Sequence, residues 1–339
     1  MNMKTLAEML GLSQTTVSRA LNGHSDVAEA TRRRVEEAAV KLGYRPNASA
    51  QRLATGRAGA IGLILPANSD RLMNPHFLEF IAGLGTHLIR KEFDIVLIPV
   101  ELQDEMRAYE RIISSRQVDA LVLSMPTLAD ERIPLLTRRG MPFILHGRTR
   151  SNVPHAWLDV DNEGAFRRAT RHLLQLGHER IALANGPAGY TYTHHREKGY
   201  RDALAEYGIA PDPALISNSD LTDMTGYAIA DGWLSLKAPP TAILTSAVTM
   251  AMGISRAIRS RGLTLGRDVS MVAHDDVFPY LNPQTMIPSL TTTQSSLRAA
   301  GSRIGELLLE MLEGRDPGSI GELWPVPLIL GDSTGPAPQ

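Results

Sequence analysis

The chain has 339 residues, of which 43% are hydrophobic and 21% charged, as is typical of a soluble globular protein with two or three domains. No apolar run reaches the roughly 18–20 residues that a membrane span requires, and the N-terminal segment MNMKTLAEMLG lacks a signal-peptide pattern. The absence of cysteine excludes disulfides and thiolate metal sites. We therefore expect a cytoplasmic protein with no membrane partner.

The charge is distributed unevenly along the chain. Residues 1–60 carry a net charge of +4, whereas the remainder carries −5. A small basic segment attached to an acidic body suggests a module that binds a polyanion and has its own role. A solvated surface with uneven charge would give the same values, so the motifs must decide between the two interpretations.

Three short helices are predicted within the basic segment. TLAE at residues 5–8 has the form of a capping box and predicts a helix that begins at Thr5. A second helix follows Ser13, and a third covers roughly residues 29–42. The second helix has a narrow buried stripe formed by Val17, Ala20 and Leu21. Two short helices around a glycine-containing turn indicate a helix-turn-helix whose polar face can enter a DNA major groove, although a three-helix cap domain is the alternative.

This segment closely resembles the N-terminal module of LacI/GalR-family bacterial transcription regulators. The resemblance is carried by LAEMLGLSQTTVSRALNG and TRRRVEEAAVKLGYRPNASAQRLATG. It implies that Gln14, Thr15 and Arg19 face base edges, which agrees with the chemistry of amide, methyl and guanidinium groups. It also implies phosphate contacts that set the register, from Ser13, Thr16, Ser18, Asn22, Thr31, Tyr44 and Asn47. In this sequence Ala28 replaces the serine that often caps the third helix.

A linker rich in small and polar residues, PNASAQRLATG, follows at residues 46–56. It resembles the hinge helix of the same family, which folds on the operator. The resemblance implies that Leu53 wedges into the minor groove, with Ala50 and Gln51 beside it. The alternative is that Leu53 packs on its own domain as an ordinary linker residue.

Beyond Ala60, short β-rich runs alternate with helical stretches, which predicts an α/β body of doubly wound parallel sheets. The expected strands cover residues 60–65, 94–100, 119–125, 142–146, 156–160, 180–185, 241–246 and 269–274. The family resemblance implies a two-lobed, periplasmic-binding-protein-like body. The predicted divisions are a head at 1–45, a hinge at 46–58, an N-terminal lobe at 59–158 plus about 291–321, a C-terminal lobe at 159–290 plus about 322–332, and a flexible tail at 333–339.

A polar pocket is expected beyond the carboxyl ends of the strands, where ligands bind in open α/β sheets. HREKGY and HDDV resemble two family segments, which implies that Arg196 clamps the effector and that Asp275 binds it. NPHF at 74–77 resembles the start of a helix that edges the pocket. The candidate effector-binding residues are Asn74, Phe77, His146, Arg148, Asp159, Arg196, Ser246 and Asp275. These groups suit a neutral polyhydroxylated molecule, although any of them could instead pack the lobes.

No nucleotide-binding, hydrolase or zinc-protease motif is present, and His194 and His195 lack a third donor at metal-ligand spacing. We therefore expect no catalytic residue, cofactor or metal. The predicted function is a homodimeric repressor that binds double-stranded, pseudo-palindromic operator DNA and is released by a mono- or disaccharide. The HGR triplet at 146–148 points to a sugar-sensing branch, such as one for alpha-glucosides. The alternatives are a transport-type sugar receptor and a sugar-processing enzyme with an appended DNA-binding head.

Overall fold

The computed structural model describes residues 2–21, 26–44, 57–66 and 75–338. The chain divides into two compact units, Met1–Ala58 and Gly59–Gln339. Within the described ranges, no helix combines the length and the apolar character needed to cross a membrane. Most of the predicted hinge lies outside these ranges, as do the candidate residues Asn22, Asn47, Ala50, Gln51, Leu53 and Asn74.

In the part of the first unit that the structure describes, three helices surround a small core: α1 (Met3–Leu10), α2 (Gln14–Leu21) and α3 (Glu29–Lys41). Helix α1 begins two residues before the predicted start, because the Asn2 side chain caps it by accepting a hydrogen bond from the Thr5 backbone N–H at 2.9 Å. Ala28 offers no side-chain cap to α3. The buried core is formed by Leu6, Ala7, Val17, Ala20, Val35, Ala39 and Tyr44.

The first lobe of the second unit is built on a six-stranded parallel sheet with the order β11-β5-β4-β3-β1-β2. Its strands are β1 (Ala60–Pro66), β2 (Asp94–Val100), β3 (Ala120–Ser124), β4 (Phe143–His146), β5 (Ala156–Val160) and β11 (Gly321–Trp324). Its helices are α4 (Pro75–Leu88), α5 (Glu105–Ser115), α6 (Arg132–Arg139) and α11 (Leu297–Leu312). Helices α4 and α11 cover one face of this sheet. Their apolar side chains and those of the strands form a single core.

The second lobe is built on a six-stranded sheet with the order β12-β10-β9-β8-β6-β7, in which only the β10–β12 pair is antiparallel. Its strands are β6 (Ile181–Asn185), β7 (Ile216–Asn218), β8 (Ala242–Thr245), β9 (Ser270–Asp275), β10 (Thr291–Gln294) and β12 (Leu328–Ile329). Its helices are α7 (Asn162–Gln175), α8 (Thr191–Glu206), α9 (Asp223–Leu234) and α10 (Val248–Ser260). The apolar side chains of these helices pack against the strands in two clusters.

The chain passes between the lobes three times, and each passage lies a few residues later than predicted. Strand β5 runs to Val160 within the first sheet. Thr291–Gln294 was expected in the first lobe, but its backbone pairs with Val272–Asp275 and adds a strand to the second sheet. Gly321–Trp324 pairs with Trp157–Val160, so the last passage follows Trp324 rather than residue 322. The points at which the chain crosses between the lobes are set by backbone pairing. The composition of these short segments did not reveal that pairing.

The predicted flexible tail is corrected by the structure, since residues 333–337 dock on the second lobe. The Ser333 hydroxyl is fully buried, where it accepts from the Thr291 N–H at 2.8 Å and donates to the Met271 carbonyl at 2.7 Å. The Ala337 N–H donates to the Leu176 carbonyl at 2.8 Å. The Ser333 bonds satisfy backbone groups of β9 and β10, and the Ala337 bond satisfies a carbonyl at the end of α7.

Close backbone contact between α4 and α11 depends on glycine. A methyl group built on Gly301 would lie 2.1 Å from the Phe80 carbonyl oxygen, and one on Gly83 would lie 2.0 Å from the Arg298 carbonyl oxygen. Both distances are far inside van der Waals contact, so neither helix accepts a larger residue without moving. The two helices are therefore closely packed where they cross.

We predict that Gly301→Ala lowers the free energy of unfolding by about 1–3 kcal/mol, because the added methyl group overpacks the helix pair. Urea denaturation of the full chain measures this change. Gly232→Ala is the matched control, since a methyl group there meets nothing within 4 Å in helix α9. The control should be neutral or gain about 0.5–1 kcal/mol from reduced backbone entropy. Equal effects of the two substitutions would contradict the packing interpretation.

Candidate functional site

A cavity of about 900 Å³, including its open mouth, lies between the two lobes. The cavity lies at the carboxyl ends of strands from both sheets, where parallel α/β sheets hold their ligands. Four candidates from the sequence line it, namely His146, Asp159, Arg196 and Ser246.

Arg196 extends from the first half of α8 into this cavity and is held there by neutral partners. Its Nε donates to the Asn162 side-chain oxygen at 2.8 Å, and its Nη1 donates to the Ser246 carbonyl at 2.9 Å. The guanidinium carbon lies 5.1 Å from the centre of the Phe166 ring and 5.0 Å from that of Tyr192. Burial lowers the pKa of Arg196, and Asp276 and Asp159 oppose this shift. The result is a positioned cation whose remaining N–H groups are available to a ligand.

Asp159, at the end of β5, is paired with a residue of its own lobe. Its Oδ2 accepts from Arg148 Nε at 2.8 Å, and its Oδ1 accepts from the Val160 N–H at 2.8 Å. Arg148 does not itself line the cavity but lies directly behind this carboxylate. The His146 ring stacks on Phe80 with 4.7 Å between ring centres. Burial lowers the pKa of His146, so that the neutral ring offers one donor and one acceptor.

The structure places the two acidic residues at the end of β9, Asp275 and Asp276, differently. The Asp275 carboxylate is buried, and it accepts from the Val277 N–H at 2.8 Å and from Gln294 Nε2 at 3.1 Å. It does not line the cavity, whereas its neighbour Asp276 does. The physical reason is that both Asp275 oxygens are engaged in holding the turn that follows the strand.

Asp276 contacts two histidines. Its Oδ2 lies 2.9 Å from Nε2 of His76, and its Oδ1 lies 3.6 Å from Nε2 of His274. Burial opposes ionisation of Asp276, but His76 and His274 outweigh it and hold the pKa of the carboxyl well below its usual range. Asp276 is therefore an anion that lines the cavity, as Asp159 is.

Sequence reasoning missed several residues of the cavity. His76, Asn162 and Asp276 line it, but they were not among the candidates. The HDDV motif indicated the turn that reaches the cavity. The sequence pattern at the end of a strand does not tell which of two adjacent acidic residues faces that cavity. Phe77 packs against the core of the first lobe instead of lining the cavity.

The helix α2 of the first unit presents a polar surface. Gln14, Thr15 and Arg19 are exposed, and Ser13 caps the helix by accepting from the Thr16 N–H at 3.0 Å. Arg19 forms an ion pair with Asp26, with 2.5 Å between Nη2 and Oδ2.

The other described candidates lie around this surface. Thr16 and Ser18 are half-buried on α2, and Thr31 is half-buried near the start of α3. Tyr44 is 8% exposed because its ring belongs to the core of the unit.

Both units match models of a single protein family. Residues 2–47 match the model described as bacterial regulatory proteins of the lacI family. Residues 58–320 match the model of periplasmic binding proteins and the sugar binding domain of the LacI family.

The relatives and solved structures that resemble this chain match it over nearly its whole length. The HTH-type transcriptional regulator AglR of Rhizobium meliloti (strain 1021) is 47% identical, over 100% of this chain and 95% of the relative. RafR of Escherichia coli, also named an HTH-type transcriptional regulator, is 36% identical over 100% of both chains. The lac repressor dimer bound to operator and the anti-inducer ONPF is 27% identical, with a TM-score of 0.85 and 99% of both chains covered. The complex of the transcriptional regulator CelR with cellobiose is 26% identical, with a TM-score of 0.72, 98% of this chain and 99% of that chain covered. The chain belongs to the LacI family of transcription regulators.

Proposed function

We propose that this regulator is a repressor that binds pseudo-palindromic operator DNA as a homodimer and is released by a neutral mono- or disaccharide. The observation that carries the proposal is the cavity between the lobes, lined by the oriented side chains of Arg196, Asp159 and Asp276 in a chain that also carries a helix-turn-helix. A ligand held between two lobes can alter their arrangement, and that is how it can control a DNA-binding unit.

The chemistry of the cavity favours an uncharged, hydroxyl-rich ligand. Asp159 and Asp276 accept hydrogen bonds, while Arg196 donates them, so hydroxyl groups that both donate and accept can use all three. An anionic ligand would face two carboxylates, and a cationic ligand would face the guanidinium. The Tyr192 ring adds an apolar surface of the kind on which a sugar ring can lie. The cellobiose bound by the related CelR supports the same class of ligand.

The DNA-binding role is supported by the exposed face of α2. The Gln14 amide can form two hydrogen bonds with adenine, one as donor and one as acceptor, and the Arg19 guanidinium can donate two to guanine. Thr15 can contact a thymine methyl group. Two copies related by a two-fold axis require a site with matching symmetry. The operator-bound lac repressor dimer among the similar structures supports this arrangement. The transport-receptor and enzyme alternatives lose support, since the relatives quoted are named as regulators.

We expect Arg196→Ala to abolish the stabilisation of the protein by its saccharide effector while leaving operator binding intact. The substitution removes the donors that a sugar hydroxyl would use, and each lost charge-assisted bond is worth about 1.5–3 kcal/mol. Thermal unfolding across a panel of mono- and disaccharides measures the effect.

The matched control for Arg196→Ala is Arg201→Ala on the same helix, because Arg201 bonds to Glu197 away from the cavity. The control should respond to the saccharide as the wild type does. A wild-type response in Arg196→Ala would place the effector elsewhere. A saccharide that tightens operator binding by the wild-type protein would mean that it acts as a corepressor.

We also expect Arg19→Ala to cost about 1–3 kcal/mol of operator affinity and to relax the preference at one base pair. Fluorescence anisotropy with an operator selected from random DNA, at one fixed salt concentration, measures both quantities. Arg33→Ala is the control, since Arg33 lies on α3 and pairs with Glu29 at the surface. If Arg19→Ala weakens operator and random DNA equally, Arg19 contacts phosphate and does not read a base.

A further inference from the structure

We propose that His76 and Asp276 form a clasp between the two lobes, and that Asp275 is the positioning residue that sets it. The inference rests on the proposed function, because it concerns the regulation of the same cleft. The clasp stabilises the arrangement of the lobes seen in this structure when no effector is bound.

The clasp is a contact between side chains of different lobes. His76 is the second residue of α4 in the first lobe, whereas Asp276 follows β9 of the second lobe. Their nearest atoms, Nε2 and Oδ2, are 2.9 Å apart, and the two side chains are only 15% and 9% exposed. A pair sheltered from water in this way is screened less than a surface pair.

The orientation of the histidine is also set by the second lobe. The His76 ring meets Phe278 edge-on, with 4.9 Å between ring centres and an angle of 78°. Phe278 is 4% exposed, so this contact is part of the packed interior. The ring therefore has both a polar and an apolar partner across the cleft.

The turn that carries Asp276 has a conformation that needs support. Val277 has a φ of 60°, in the left-handed region that β-branched residues rarely adopt. The Asp275 carboxylate bonds the Val277 N–H on one side and the Gln294 side chain on the other. Because these two bonds fix the turn, Asp276 is directed across the cleft while Asp275 stays out of the cavity.

Other contacts also join the two lobes. The Thr191 N–H donates to the Pro126 carbonyl at 2.9 Å, and Arg150 and His194 lie 3.3 Å apart at the surface. The Thr191 bond joins two backbone groups, so it does not depend on which side chains stand at these positions. The His76–Asp276 pair, in contrast, depends on two particular side chains, both of which line the cavity.

This position gives the effector a direct means of acting on the clasp. A ligand shifts a two-state protein only by its differential affinity for the two states. A saccharide hydroxyl bound to Asp276 would change the contact with His76, and so would act on a contact between the lobes. The clasp thereby links occupancy of the cavity to the arrangement of α4 relative to the second sheet.

The distance between the lobes tests the clasp without DNA or saccharide. The chain has no cysteine, so Arg107→Cys in the first lobe and Arg267→Cys in the second can carry the only two spin labels. The replaced side chains are 87% and 74% exposed, which permits labelling of the folded chain. Pulsed electron paramagnetic resonance on labelled chain, diluted with unlabelled chain, then gives the distance distribution within one protomer.

We expect His76→Ala to add a population with an altered distance that the unsubstituted protein lacks. His76→Gln, which keeps an N–H donor, should restore much of the original distribution. Asp275→Asn should shift the distribution in the same direction as His76→Ala, with Asp276 still present. His194→Ala is the matched control, since His194 also contacts the other lobe but at the surface, and it should change nothing.

A His76→Ala distribution identical to that of the unsubstituted protein would overturn the clasp. An unchanged distribution in Asp275→Asn, with a clear change in His76→Ala, would overturn the positioning role of Asp275. A protein that fails to bind any operator would contradict the proposed function but would leave these distances, and the clasp, unaffected.

Discussion

The structure depends on the burial of charged side chains between two lobes. Asp159, Asp276 and Arg196 line one cavity, and a charge taken out of water is costly unless it is paired. Each therefore has a partner: Arg148 for Asp159, His76 for Asp276, and neutral acceptors for Arg196. Since the partners come from separate elements of both lobes, the charges are satisfied only when those elements are correctly placed.

Close packing within each lobe would allow ligand binding in the cavity to change the arrangement of the lobes. Glycines such as Gly301 bring helix backbones into direct contact, and close-packed interiors deform little. We therefore expect a ligand that alters the contacts across the cleft to move whole lobes rather than single side chains. A regulator needs this property, because the effector and the operator bind to different parts of the chain.

Much of the fold could be predicted from the sequence, because the buried strands of parallel sheets are continuous β-rich runs. The segments that became β1, β2, β5 and β9 were all located in this way. Strand β10 was missed, since its TTTQ sequence lacks apolar residues and is held by pairing with β9. The docked tail was missed for a similar reason, because Ser333 is buried by hydrogen bonds and not by apolar character.

The site was predicted less completely than the fold. Arg196 and Ser246 were located from their positions after strand ends, and the structure brings them into one cavity. The sequence could not tell which of Asp275 and Asp276 lines the cavity, because this depends on the left-handed backbone of Val277. His76 could not be foreseen either, since its partner lies 200 positions away in the chain.

A neutral saccharide in the interlobe cavity is proposed to control operator binding. The direct test is the operator affinity of the full chain, measured by fluorescence anisotropy with and without each saccharide that stabilises the protein. We expect at least one such saccharide to weaken operator binding by about 5–150-fold, which is the usual range of coupling between two sites. Operator affinity that stays the same with every saccharide that binds would contradict the claim.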